Sequence, residues 1–141
     1  MLPLEIYNTI FDYLNQRSQI NILLICKLFY LNLYFKKFKI SKKVIDINSY
    51  HFNKLIKLDI SYNTHITNLN HLSNLKKIIA HNTNINQEGI NKLRLVEEIY
   101  ISNNKKIINL NHLSKLREIT AIDTNLTQEG INESRLINKI N

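Results

Sequence analysis

Residues 55–95 read LIKLDISYNTHITNLNHLSNLKKIIAHNTNINQEGINKLRL, and residues 96–136 read VEEIYISNNKKIINLNHLSKLREITAIDTNLTQEGINESRL. Aligned without a gap, the two 41-residue stretches share 22 identities. Whole phrases recur in place: NLNHLS at 68–73 and 109–114, QEGIN at 87–91 and 128–132. A duplication of this period is the mark of stacked structural units, whereas a catalytic site is rarely written twice so plainly.

Each stretch divides again. Leu55, Leu58, Ile60 and Asn63 stand at the spacing L-x-x-L-x-L-x-x-N. Leu75, Ile78, Ala80 and Thr83 repeat it, as do Val96, Ile99, Ile101 and Asn104, then Leu116, Ile119, Ala121 and Thr124. The unit starts near 55, 75, 96 and 116 are 20, 21 and 20 residues apart, with a partial fifth start at Ile137 and Ile140. This pattern resembles the leucine-rich repeat family. Leu58 and Ile60 lie two apart, so on a strand they face the same way while Lys57, Asp59 and Ser61 face the other. Stacked units then form a solenoid with a parallel β-sheet on its concave face. Asn63 and Asn104 are placed to satisfy backbone groups of adjacent turns, with Thr83 and Thr124 doing a shorter version of that work in alternate units.

Between strands the chain crosses the convex side by two routes. Leucines spaced by three (Leu69, Leu72, Leu75 and Leu110, Leu113, Leu116) suit a tight turn or short 3₁₀ piece. In the QEGIN route, Asn86 and Thr127 read as helix N-caps, with Glu88 and Glu129 in a first turn whose dipole favours acid. Ile90 and Ile131 turn inward, and Gly89 and Gly130 permit close backbone approach. A lone glycine in each copy is a poor phosphate-binding loop. His71 and His112 recur one per copy and read as solvent-side positions with no second ligand nearby.

Residues 1–39 lack the repeat and read as helices, with stripes at Ile6, Ile10 and Leu14, then at Ile20, Leu23, Leu24, Leu28 and Leu31. LPLEIYNTIFDYL followed by INILLICKLF resembles an F-box, carried by Leu2, Pro3, Glu5, Ile6, Ile10 and Leu14, then Ile25, Cys26, Lys27 and Phe29. Phe29 stands where that motif often has Trp, and Ser18 and Gln19 stand where an acid is common before the second helix. Residues 40–54 form a degenerate first repeat or cap; Phe35, Phe38 and Ile40 already fall at the repeat's spacing, and VIDI (44–47) reads as a strand. The fold class expected is therefore α+β, an F-box-like helical segment followed by a short leucine-rich solenoid over 55–141.

Composition excludes several classes. A 44% apolar content with two Gly and one Pro in 141 residues describes an ordered chain. One Cys allows no internal disulfide and no cysteine cluster for zinc, which suits a reducing compartment. The net charge of +8 includes a dense run, KKFKISKK at 36–43. That run has no Arg fork to read nucleic acid, so it reads as a solvated junction. The apolar run at 22–35 is broken by Lys27 and Asn32 and is too short to span a bilayer, and the N-terminus lacks the charge of a secretory leader. Ile, Asn and Lys supply 61 residues, a bias that AT-rich genomes write. With the motifs, this composition resembles F-box and repeat proteins of giant DNA viruses or AT-rich protists.

No nucleophile–base pair, carboxylate pair or metal-ligand cluster stands out, so no enzyme, cofactor or metal is expected. The resemblance implies the substrate-receptor subunit of a cullin-type ubiquitin ligase. In that reading Leu2, Pro3, Ile6, Ile10, Leu14, Ile25, Cys26 and Phe29 dock a Skp-type adaptor, and the repeats bind a protein substrate. The concave face would carry Lys57, Asp59, Ser61, Lys77, Ile79, His81, Glu98, Tyr100, Ser102, Glu118, Thr120 and Ile122. Substrate contact is expected at Asp59, Ile79, His81, Tyr100, Thr120 and Ile122, where apolar and aromatic side chains on a solvated face make interface anchors. Expected partners are that adaptor, its cullin ligase and a protein substrate, without nucleic acid or membrane. The chain would be a monomer outside the complex, in the cytoplasm (the host's, if viral). The alternative is an interaction module whose N-terminal helices merely cover the first repeat, with no ubiquitin role.

Overall fold

Side chains that alternate between core and solvent across short, evenly spaced segments dictate a stack of short parallel strands, and that is what forms. A computed structural model of the chain describes residues 4–25, 36–40 and 52–131. Among the described residues, two helices, α1 (Leu4–Tyr13) and α2 (Gln16–Ile25), precede five three-residue strands: β1 (Lys37–Lys39), β2 (Lys57–Asp59), β3 (Lys77–Ile79), β4 (Glu98–Tyr100) and β5 (Glu118–Thr120). The strands make one parallel sheet in sequence order. Leu58 stands opposite Phe38 and Ile78, and Ile99 opposite Ile78 and Ile119. The chain is a repeat solenoid.

Register places like on like. Phe38, Leu58, Ile78, Ile99 and Ile119 form one buried row, and Ile40, Ile60, Ala80, Ile101 and Ala121 a second. Each fully buried Leu or Ile contributes about 1.5–3 kcal/mol. A third row comes from the leucines three apart. Leu72 N–H donates to Leu69 O (2.9 Å) and Leu75 N–H to Leu72 O (3.1 Å), and Leu113 and Leu116 repeat the pattern. These consecutive i→i+3 turns return the chain to the next strand with all six leucines buried.

Solenoid turns begin earlier than residue 40. Lys37–Lys39 pair with β2 as a full first strand, so the boundary lies inside the segment assigned to helices. The VIDI stretch, the partial unit at 137 and Phe35 lie outside the described residues. The helices are tied to β1. Asn15 Oδ1 accepts from Ser18 N–H (3.0 Å), an N-cap for α2. Gln16 then treats the free edge of β1 as a strand would: its Nε2 donates to Lys39 O (2.8 Å) and its Oε1 accepts from Lys39 N–H (3.1 Å). An unpaired sheet edge is a liability, and Gln16 covers part of it. Asp12 pairs with Lys36, buried Gln19 donates to Phe11 O (2.7 Å), and Phe11 sits in the core. The packed side of α1 is therefore the Tyr7–Phe11 side.

The duplicated phrase proves to be a set of clamps between turns. Asn86 Oδ1 accepts from Gly89 N–H (2.8 Å) and Thr127 Oγ1 from Gly130 N–H (3.1 Å), as caps should. The capped residues form an i→i+3 turn, with Ile90 N–H on Gln87 O, and not an α-helix. Gln87 reaches the next turn, accepting from Ile108 N–H (3.1 Å) and Asn109 N–H (2.9 Å) and donating to Asn109 O (2.8 Å). Gly89 meets the preceding turn, where its carbonyl accepts from Leu69 N–H (2.8 Å). No glycine among the described residues has positive φ, so Gly89 and Gly130 are required for close approach alone. The asparagines are equally occupied: Asn84 and Asn125 donate to Thr64 O and Lys105 O, each at 2.9 Å. Asn70 and Asn111 donate to Glu88 O and Glu129 O. Composition bias alone does not account for them.

Candidate functional site

Three side-chain positions of each turn face out from the sheet, and register fixes the neighbours of each. The first row runs Lys37, Lys57, Lys77, Glu98, Glu118, and the second Lys39, Asp59, Ile79, Tyr100, Thr120. A third row follows the strands at Ser61, His81, Ser102 and Ile122. Asp59, Ile79, His81, Tyr100 and Thr120 are half-buried and Ile122 is exposed, all six near the same face. Ser102 departs from expectation: it is buried, and its Oγ accepts from Ile122 N–H (3.3 Å).

Tyr100 is the hub of this face and not a free anchor. Its hydroxyl donates to Glu118, and Lys77 bonds Glu98 while its Nζ lies 3.4 Å from the Tyr100 hydroxyl. The same ammonium sits 4.8 Å from the Tyr100 ring centre, a cation–π contact, and His81 meets the ring edge-on at 6.4 Å. The Glu98 hydrogen bond holds the Lys77 pKa above its ordinary value, and the Lys77 bond holds that of Glu98 below. Donation to Glu118 raises that of Tyr100. Lys39 pairs with Asp59 at 3.2 Å. Lys77, Glu98 and Glu118 were legible as face positions, but only the register shows that they converge on one tyrosine.

Lys37 and Lys57 differ. They are register partners on β1 and β2, and neither pairs with a described carboxylate. With Gln16, Lys39, Asp59 and Ile79 they line an open depression of about 290 Å³.

The second candidate surface is on α1. Ile6 and Ile10, one helical turn apart, are 43% and 49% exposed, whereas Phe11 is 1% exposed. Leu14 is half-buried just beyond the helix. Leu2, Pro3, Cys26 and Phe29 lie outside the described residues, and Ile25 is described only as the last residue of α2.

The two recurring histidines part company. His71 is exposed, but His112 is half-buried with its Nε2 donating to Ile90 O at 3.0 Å. Burial is the main cause that holds its pKa below the ordinary value, with the Arg94 charge adding to it against the bond to Ile90. His112 is therefore structural. Among the described residues no group of three His, Cys, Asp or Glu is placed to hold a metal ion, and no helix is long and apolar enough to cross a membrane.

Comparison of the chain with protein-family models, with curated proteins and with solved structures yields no match.

Proposed function

We propose that this protein is a two-surface interaction scaffold, the substrate receptor of a cullin-type ubiquitin ligase. The α1 surface docks a Skp-type adaptor, and the sheet face of a leucine-rich solenoid holds a protein substrate. The observation that carries the reading is the exposure of Ile6 and Ile10 on a helix that Phe11 anchors through a different side. Two large aliphatic side chains one turn apart on a fixed helix are poor solvent neighbours and good docking anchors. The F-box resemblance of the surrounding sequence supplies the identity of the partner. The test is co-expression with a Skp-type adaptor. Wild type and Tyr100→Ala should co-purify with it, and Ile6→Asp/Ile10→Asp should not while keeping its circular dichroism. Loss of both anchors should cost more than about 2 kcal/mol, over thirtyfold in affinity. Absence of wild-type binding at micromolar concentration would overturn the ubiquitin role.

The second reading is a leucine-rich interaction module whose helices serve only as a cap. Gln16 favours it by covering the exposed edge of β1, a duty that needs no adaptor.

A further inference from the structure

The outer row of the sheet is electrically polarised. Three lysines occupy β1, β2 and β3 and two glutamates β4 and β5, all at one register position. Adjacent strands are about 4.8 Å apart, so the row spans about 19 Å. Like charges directly opposite on neighbouring strands repel. At the acidic end the repulsion is relieved internally, since Glu98 takes Lys77 and Glu118 takes the Tyr100 hydroxyl. Lys37 and Lys57 receive no such relief from any described carboxylate, although Asp59 stands nearby and is engaged by Lys39. Once the internal pairs cancel, two positive charges remain at the β1–β2 end and one negative charge, Glu118, at the β5 end. Ile79 lies between them on the neighbouring row.

From this we infer that the sheet face binds an extended peptide segment that crosses the strands and carries opposite charges at its two ends. Its acidic end lies in the depression over Lys37 and Lys57, an apolar residue meets Ile79, and its basic end lies at Glu118. The distance from between β1 and β2 to β5 is about 17 Å, which an extended chain covers in about five residues. A second copy of this chain fits less well. Turning the row about a twofold axis along β3 sets Lys37 against Glu118 and Lys57 against Glu98, but it sets Lys77 against its own image. Five strands of three residues also offer only roughly 240 Å² of face, well below the ~800 Å² per partner of a stable protein interface. A single peptide strand suits that area.

The inference rests on the proposal that the sheet face is a protein-binding surface, and it names the chemistry of the segment bound. The experiment uses the full chain and fluorescent peptides of matched length. One has two Asp and two Lys at opposite ends around a central Ile. A second has the same composition with charges alternating, and a third is acidic throughout. Anisotropy titrations should show the end-separated peptide binding at least tenfold tighter than either other peptide. Lys37→Ala/Lys57→Ala should lose at least tenfold while its melting temperature holds or rises, since it removes an uncompensated repulsion. Lys92→Ala/Lys106→Ala, at exposed positions off this face, should bind as wild type. Equal binding of the acidic peptide would overturn the inference, as would indifference to the Lys37/Lys57 variant. Concentration-dependent dimerisation abolished by that variant would overturn it in favour of a second copy. The adaptor test is independent: an adaptor that binds without any peptide preference sinks this inference alone. A peptide preference without adaptor binding sinks only the ubiquitin role.

Discussion

Asn104 and Thr83, 21 residues apart, are locked together in the core: Asn104 Oδ1 accepts from both the Thr83 hydroxyl (2.7 Å) and the Thr83 N–H (3.2 Å). The Asn104 amide nitrogen donates to Ala80 O (2.5 Å), Ile101 O (2.8 Å) and Ser102 O (3.2 Å). One side chain thereby closes its own turn and staples the preceding one. Asn104→Ala leaves the buried Thr83 N–H without its acceptor and takes one bond from each of three carbonyls, and should cost about 3 kcal/mol. Asn104→Asp should cost as much or more, because an acceptor-only group replaces the donor facing three carbonyls. Urea denaturation checks both, and a loss under about 1 kcal/mol would contradict the assignment.

Gly89→Ala should be severe, because this turn residue is buried. A Cβ there would stand 3.1 Å from both the Thr67 carbonyl carbon and Asn68 Cα, with the Thr67 oxygen closer still. Those are backbone atoms of the preceding turn and cannot rotate away. The expected loss is about 3 kcal/mol, at the upper end of overpacking effects. A Gly89→Ala chain that melts like wild type would show that the turns are not in contact here.

Tyr62→Asn should stabilise. The same position of each turn adopts positive φ: Tyr62 at 64°, Asn82 at 52°, Asn103 at 63° and Asp123 at 53°. Asn and Asp tolerate this region and a bulky aromatic does not. Tyr62 is also 62% exposed, so little packing is given up. We expect a gain of about 1 kcal/mol, or roughly 4 °C in melting temperature. A loss would mean that the Tyr62 ring makes contacts outweighing its backbone strain.

His112 gives the fold a pH dependence of defined sign. Its folded pKa lies below the ordinary 6.5, so between the two values the unfolded chain binds more protons than the folded one. Its contribution is present above about pH 6.5 and is lost as pH falls through the folded value. Melting temperature should therefore drop on acidification from about pH 7.5 to about pH 5. His112→Gln, which can still donate to Ile90 O without titrating, should flatten that slope. An unchanged slope would assign it to other groups.

The strand positions were legible because they obey a period: Leu58, Ile60 and their counterparts repeat at 20 or 21 residues and alternate in burial. The outward face was legible for the same reason. What escaped was whatever depends on two turns at once. Tyr100 read as a lone exposed aromatic because Lys77 and Glu118 are far from it in sequence and close only through register. Gln87 carried no role in the sequence because its partners, Ile108 and Asn109, lie on the next turn. In the N-terminal segment Ile6, Ile10 and Phe11 are all apolar, and amphipathic spacing alone did not tell which would be buried. Packing against the solenoid chose Phe11.

The most direct test of the two-surface reading is amide hydrogen exchange of the full chain with and without a purified Skp-type adaptor. The predicted result is added protection confined to the N-terminal helices, strongest in Leu4–Tyr13, with the strands from Lys57 to Thr120 unchanged. Protection on the strands instead, or none anywhere at adaptor concentrations well above micromolar, would contradict it.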